Sequence, residues 1–346
     1  MVGERVTEAA GFNTLVSMMR TRSLWGQAIG MLLPVLMAIA NHATAQSPAE
    51  FAAPSGPAIA SLDLPAQASG QLQHAVDAQD YLTAEKLLLA EIERDPHSAR
   101  AARLLAYAGT VYFLNEDYLH AAVAWKKSAA ITPLDPKLRF TLAMAYIRMN
   151  HADWARKELE SLAAMDSKNA LFAYWLGRLD YDGHEYNKAI AHFQMAIQLD
   201  PQMARAYDNL GLCYYYQNQN GLAISNYEKA IELGRESAHP SAWPYLNLAI
   251  TQQFLNQPAD AETNLRQALQ LDPKFAKAHF QLGTLLEDEG KLENALAELQ
   301  EAARLDAGYA EPHMAMARVD HKLGREDAAR SEVQIYLRLH PHSTPQ

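Results

Sequence analysis

Asp180, Asp182 and Glu185 surround Gly183 in the run DYDGHE, which carries part of the pattern of a calcium-binding loop. Such a loop needs its glycine at the sixth position to make the sharp turn, and here glycine stands fourth. Acidic residues beside glycine are also ordinary turn chemistry, and the run is read that way. The chain has 13 histidines, scattered without ligand spacing, and no HExxH, GxSxG or phosphate-cradling glycine loop. Its one cysteine, Cys213, rules out an internal disulfide and a cysteine zinc site. It sits in a tyrosine-rich helical stretch, where a buried, inert thiol is expected. The residue types therefore support recognition rather than bond making: no catalytic residue, metal or cofactor is expected.

Recognition surfaces need a scaffold, and its elements are visible as a repeat. Leu-Gly recurs at 176–177, 210–211 and 282–283, with Ala-Gly at 108–109. Twelve residues after each glycine stands Ala121, Ala189, Ala223 or Ala295, and seven further on Ser128, Ala196, Ala230 or Ala302. Units start at 102, 136, 170, 204, 242, 276 and 310, a step of 34 residues except for one of 38, whose extra residues fall in the run RESAHPSAWP. A divergent unit precedes them near 68–101. Each unit holds two apolar stretches of helical period. Between the two lies a residue that tolerates the left-handed turn ending a helix: Asn150, Asn218, Asn256, Gly290 or Gly324. Asp-Pro at 95–96, 200–201 and 272–273 fits the other junction, since proline suits the first turn of a helix and disfavours helix just before it. Glycine or alanine at the eighth position lets two helices approach, and the large residue between the later alanines fills the remaining space. A hairpin of this kind buries its apolar faces only by stacking on copies of itself.

The period, with Leu210-Gly211, Tyr214, Ala223, Tyr227 and Ala230 in one unit and Leu176-Gly177, Ala189, Phe193, Ala196 and Pro201 in another, resembles the tetratricopeptide repeat. The resemblance covers about 68–341. Departures are local: Ala143, Ala249 and Ala317 replace the glycine, and Ser167, Arg235 and Ala307 the closing proline. It implies an all-α fold, an α-solenoid or right-handed superhelix of about eight helical hairpins, over 68–343. First helices would line a concave groove and second helices the convex side.

In such repeats positions 2, 5, 6, 9, 12 and 13 of the first helix face the groove. Asn209 and Asn247 then occupy position 6 of consecutive units, with Gln281 next. The series resembles the asparagine ladder lining the repeats of O-linked GlcNAc transferases, here without room for their catalytic domain. An amide donates and accepts, so it can pair with a peptide backbone whatever its sequence. Tyr174, Trp175, Tyr215, Trp243 and Phe280 flank the ladder as aromatic anchors, and Arg178, Arg205 and Lys277 add positive charge suited to a carboxylate. The basic trio matches only part of the family's carboxylate clamp.

Residues 1–45 read as a secretory signal peptide. Arg20 and Arg22 precede the apolar run AIGMLLPVLMAIA, and Ala43-Thr44-Ala45 forms a small-x-small cleavage site. The run is shorter than the ~20 residues a spanning helix needs, so no integral membrane segment is expected after cleavage. Met18 or Met19 would be the more usual start. Residues 46–67, rich in Pro, Ala and Ser, read as a flexible linker. The net charge of −10 argues against nucleic acid as a partner. No capping helix follows the last unit, so Val333, Tyr336 and Leu337 are expected to form a bare face, either tolerated or covered by a partner or a second copy. The expected function is a non-catalytic interaction scaffold of the cell envelope, periplasmic or secreted, holding an extended peptide or helix of another protein. The alternative is an accessory subunit of an export, polysaccharide or pilus assembly.

Overall fold

The eighth-position glycines make direct contact with what the repeat predicts. In the computed structural model, which describes residues 58–340, a Cβ added at Gly109 would lie 2.4 Å from the Trp125 indole, and one at Gly177 2.8 Å from the Phe193 ring. At Gly211 and Gly283 the same test meets Tyr227 at 2.6 Å and Leu299 at 2.7 Å. Each partner lies 16 residues on, in the second helix of the same hairpin. Where the eighth residue is Ala143, Ala249 or Ala317, the partner position holds Leu159, Leu265 or Val333, never an aromatic. All three aromatic partners thus face glycine, and size at one position compensates size at the other, as close packing demands, with Gly283 and Leu299 the exception.

The chain divides into two compact units, which within the described residues are 58–201 and 202–340. Each is all-α and holds four hairpins. The first contains α1 (Ala66–Asp77), α2 (Tyr81–Ile92), α3 (Ala99–Leu114), α4 (Tyr118–Ile131), α5 (Pro136–Arg148), α6 (Ala152–Met165), α7 (Ala170–Asp182) and α8 (Tyr186–Leu199). The second contains α9 (Ala204–Tyr216), α10 (Asn220–Arg235), α11 (Trp243–Phe254), α12 (Pro258–Leu271), α13 (Ala276–Asp288), α14 (Leu292–Leu305), α15 (Glu311–Lys322) and α16 (Glu326–Leu339). No strand occurs among the described residues. The stacked-hairpin, all-α fold expected from the repeat is the fold observed.

All eight hairpins turn in one way. Gln79, Glu116, Asn150, His184, Asn218, Asn256, Gly290 and Gly324 have φ between 57° and 76°. The next residue's N–H donates to the carbonyl five residues back, from Asp80 to Ala75 through to Arg325 to Asp320, at 2.8–2.9 Å. That closure satisfies a helix-end carbonyl. Two of the eight turn residues, Gln79 and Glu116, have no special tolerance for the left-handed region, so the surrounding packing holds them there. Gly183 itself has φ −80°, and His184 takes the turn. The spacing from Gln79 to Glu116 places the first hairpin about three residues earlier than the sequence reading has it.

Residues 58–67 differ from the expected linker. Ile59–Leu62 form a 3₁₀ turn, and Leu62 is fully buried against Leu72, Leu88 and Leu104. Arg100 donates to the Asp63 carbonyl at 3.0 Å and Arg103 to the Ser61 carbonyl at 2.9 Å, and Arg103 also pairs with the Asp63 carboxylate. The strap therefore packs against both α1 and α3, where the first hairpin meets the second. The signal-peptide reading and the start of the linker lie outside the described residues. At the other end, Val333 is buried, while Tyr336 and Leu337 are half-buried, so the terminal face expected to be bare is covered in part. The described residues give no support to self-association through it.

Candidate functional site

Asp180, at the end of α7, is engaged by neighbouring side chains on both oxygens. It is 1% exposed and accepts from Arg156 at 2.7 Å, with His192 Nδ1 at 2.6 Å from its other oxygen. Among the described residues no group of three or more His, Cys, Asp or Glu side chains could hold a metal. Cys213 is buried, as expected.

In the second unit the amide series is placed inside the stack of first helices. Asn209 is fully buried, and its amide donates to the Arg205 carbonyl at 2.8 Å within α9. Asn247 on α11 is 4% exposed and donates to Asp208 Oδ1 at 2.8 Å. Gln281 on α13 is also buried. The ladder therefore does part of its bonding between neighbouring hairpins, position 5 of one to position 6 of the next. A buried acceptor such as Asp208 needs a partner of this kind.

The aromatic and cationic residues gather in two places. At the start of α11 and α13, Trp243 meets Phe275 edge-on, ring centroids 4.7 Å apart, and the Lys277 ammonium lies 5.2 Å from the Trp243 ring centroid. Burial depresses the Lys277 pKa to about 8, against the opposing pull of Asp306 and Glu311. Phe280 packs on Tyr309 at 5.2 Å and is buried. At the C-terminal ends of α9 and α11, Tyr215 contacts Tyr216 at 5.7 Å and Phe254 at 6.2 Å, both edge-on. Burial pushes the Tyr215 hydroxyl up to about 12. Phe254 is 47% exposed and the adjoining Leu255 39%. Phe254 stands at position 13 of its helix, a groove position that the sequence reading passed over; counting every apolar residue at the six groove positions would have found it.

In the first unit, Tyr174 is fully buried against Phe193 and edge-on to Trp175. Trp175 is buried too, as is Arg178, which lies 3.5 Å from Asp182 and over the Tyr181 ring. The sequence reading has these three as groove-lining contacts, and in the structure all three are buried.

Comparison with known proteins agrees with the repeat. Models described as the tetratricopeptide repeat match residues 202–274 and 246–310, and one described as the TPR repeat matches 177–217. A BBSome complex member BBS4 homolog of Drosophila melanogaster is 22% identical over 193 residues, 55% of this chain and 38% of its own. The Hsp70-Hsp90 organizing protein of Triticum aestivum is 29% identical over 36% of this chain and 21% of its own. The chain thus spans well under half the length of the curated relatives it matches. A tetratricopeptide repeat protein from Parabacteroides merdae ATCC 43184 is similar in structure, with TM-score 0.60 and 13% identity over 78% of this chain and 98% of that one. PilW, described as a widely conserved type IV pilus biogenesis factor, aligns with TM-score 0.54 and 21% identity over 60% of this chain and 94% of its own. Such identities establish the fold alone. Together the matches support a tetratricopeptide-repeat protein, a class that mediates protein–protein interaction.

Proposed function

We propose that this repeat protein is a non-catalytic scaffold that holds a segment of another protein on the first-helix face of its second unit. The observation that carries the reading is the aromatic edge formed by Tyr215, Tyr216 and Phe254, with Phe254 half exposed. Large, rigid aromatic surface costs little conformational entropy to immobilise and dominates binding energy in interfaces. Trp243 and Lys277, at the starts of α11 and α13, supply a second anchor and a cation. The buried amides Asn209, Asn247 and Gln281 serve in this reading to fix the spacing of the helices, with any remaining amide valence available to a peptide backbone. Arg205 adds charge beside them.

The apolar run after Arg20 and Arg22, with its small-x-small site, supports an exported, envelope location. The structural likeness to a pilus biogenesis factor is compatible with a place in an envelope assembly, the alternative function. The test is cross-linked capture from cell envelopes, comparing the full chain with a variant carrying Tyr215→Ala and Phe254→Ala. Loss of the captured protein in the variant supports the reading. Equal capture by both removes this face from recognition, and co-purification at fixed stoichiometry favours the assembly-subunit alternative.

A further inference from the structure

In the first unit a cleft of about 520 Å³ opens between α3, the end of α4 and the start of α5. Small side chains form one wall: Ala99, Ala102 and Ala106 lie on one face of α3 at intervals of three and four. Leu134 and Leu138 close the opposite side. The volume is in the range of ligand sites, about 300–1,000 Å³.

The repeat itself shows what this space is shaped for. Ala106 is residue 5 of its unit, and Leu138 is residue 3 of the next. One hairpin later the same two positions hold Phe140 and Phe172, whose rings meet at 5.9 Å. In the second unit residue 5 is Phe280, whose ring packs on Tyr309. Elsewhere residue 5 is Tyr174, Asp208, Leu246 or Met314, so Ala106 is the smallest side chain at this position in the seven regular units, and the cleft lies where it leaves space.

Charge at the rim adds a direction. Arg103 is already tied to the strap through Asp63 and the Ser61 carbonyl. Asp135 caps the start of α5 by accepting from the Lys137 N–H at 2.8 Å. The Lys137 ammonium is exposed and has no ion-pair partner among the described residues. A carboxylate is the complement of that cation.

We propose that the cleft is a socket for an aromatic side chain, phenylalanine or tyrosine, of a bound polypeptide, with a neighbouring carboxylate of that polypeptide reaching Lys137. The proposal rests on the protein-binding reading but concerns a different surface. Partner capture tests that reading, and a small-molecule probe tests the socket directly.

The probe is 3-phenylpropionate, which joins a phenyl ring to a carboxylate. It is titrated into the full chain carrying ¹³C-labelled alanine methyls. Saturable shifts confined to Ala99, Ala102 and Ala106 are expected. The uncharged 3-phenylpropanamide, and the probe with Lys137→Gln, should each bind ~3-fold more weakly, the scale of one exposed charge pair. Ala106→Phe should fill the socket from within, abolish the shifts at Ala99 and Ala102, and leave the urea midpoint unchanged or raised. Absence of saturable shifts in the wild-type chain overturns the proposal whether or not that variant folds. Probe binding retained in a folded Ala106→Phe variant also overturns it. Equal affinity for acid and amide overturns the carboxylate half.

Discussion

Gly109→Ala tests whether a single methyl group decides how closely the two helices of a hairpin pack. The added Cβ would sit 2.4 Å from Trp125 Nε1 and 2.7 Å from Cε2, closer than any real contact. Trp125 is fully buried, and its indole N–H donates to the Ala106 carbonyl at 2.9 Å, so the ring has neither room nor freedom to swing away. Overpacking at the upper end of the usual range costs ~3 kcal/mol. Displacing the indole loses a hydrogen bond of ~1 kcal/mol. Replacing glycine by alanine in a helix returns ~1 kcal/mol. The net expectation is a loss of ~3 kcal/mol of stability, read as a fall in the urea midpoint of the first unit by far-ultraviolet circular dichroism. Trp125→Leu alone leaves a cavity and should cost ~3 kcal/mol. The double variant Gly109→Ala/Trp125→Leu recreates the pairing that Ala143 and Leu159 already use. Its cost should be smaller than the sum of the single changes by at least ~2 kcal/mol. Gly221→Ala is the control: nothing lies within 4 Å of its Cβ, and it should stabilise by ~0.5–1 kcal/mol. The reasoning is refuted if Gly109→Ala matches wild type, or if the two changes at 109 and 125 simply add.

Other outcomes follow from the charged groups of the second unit. His279 is pulled down by burial, but its 2.6 Å contact with Glu298 and its bond to the Pro273 carbonyl outweigh that, so its pKa is raised above 6.5. Its contribution to stability is complete below 6.5 and is lost as pH rises through the raised value; a ¹H–¹⁵N titration should show the high midpoint, reduced by Glu298→Gln. Glu287 is 4% exposed and bonded to Arg318 at 2.7 Å and Lys322 at 2.9 Å. Burial raises its pKa, but the two cations overcome this and leave it below 4.5. Its contribution is therefore present above pH 4.5 and fades as pH falls through the lowered value. Glu287→Gln should cost ~2 kcal/mol at neutral pH, less than a fully buried pair because both cations are partly exposed. Trp243→Ala should move the Lys277 midpoint from about 8 toward 10.5, since burial is its main cause; an unmoved ¹³Cε titration would place the depression elsewhere.

The fold was legible because its rule is steric and local. Glycine with a large residue 16 positions later is a pair whose sizes can be read from letters alone, and the same register predicted seven of the eight hairpins, the first lying about three residues earlier. Turn residues were legible only where asparagine or glycine announced the left-handed region. Gln79 and Glu116 adopt it with no such signal, because the closing hydrogen bond and the stacked helices on either side impose it. The strap at Ile59–Leu62 was hidden for a related reason. A proline- and alanine-rich stretch has the composition of a tether, yet one buried leucine and two arginines reaching back from α3 are enough to seat it.

The candidate site followed a different logic. Position numbers assign a residue to a face of its helix, but they do not say how much of that face the next hairpin covers. The position count assigns Asn247 to the groove face, and in the structure its amide donates to Asp208 of the preceding hairpin. Tyr174 and Phe280 were covered by neighbouring rings, and Phe254 was not. Exposure on a solenoid is thus set by pairs of adjacent units, so it depends on the side chain at the matching position 34 or 38 residues away. The alanine at 106 makes the same point in reverse. Read within its own unit it is an unremarkable helix former; read against Phe140 one unit on, it leaves space that a ring takes there. In a protein built from copies of one hairpin, departures from the copy are where recognition can be added without disturbing the stack, and the α3 cleft is such a departure.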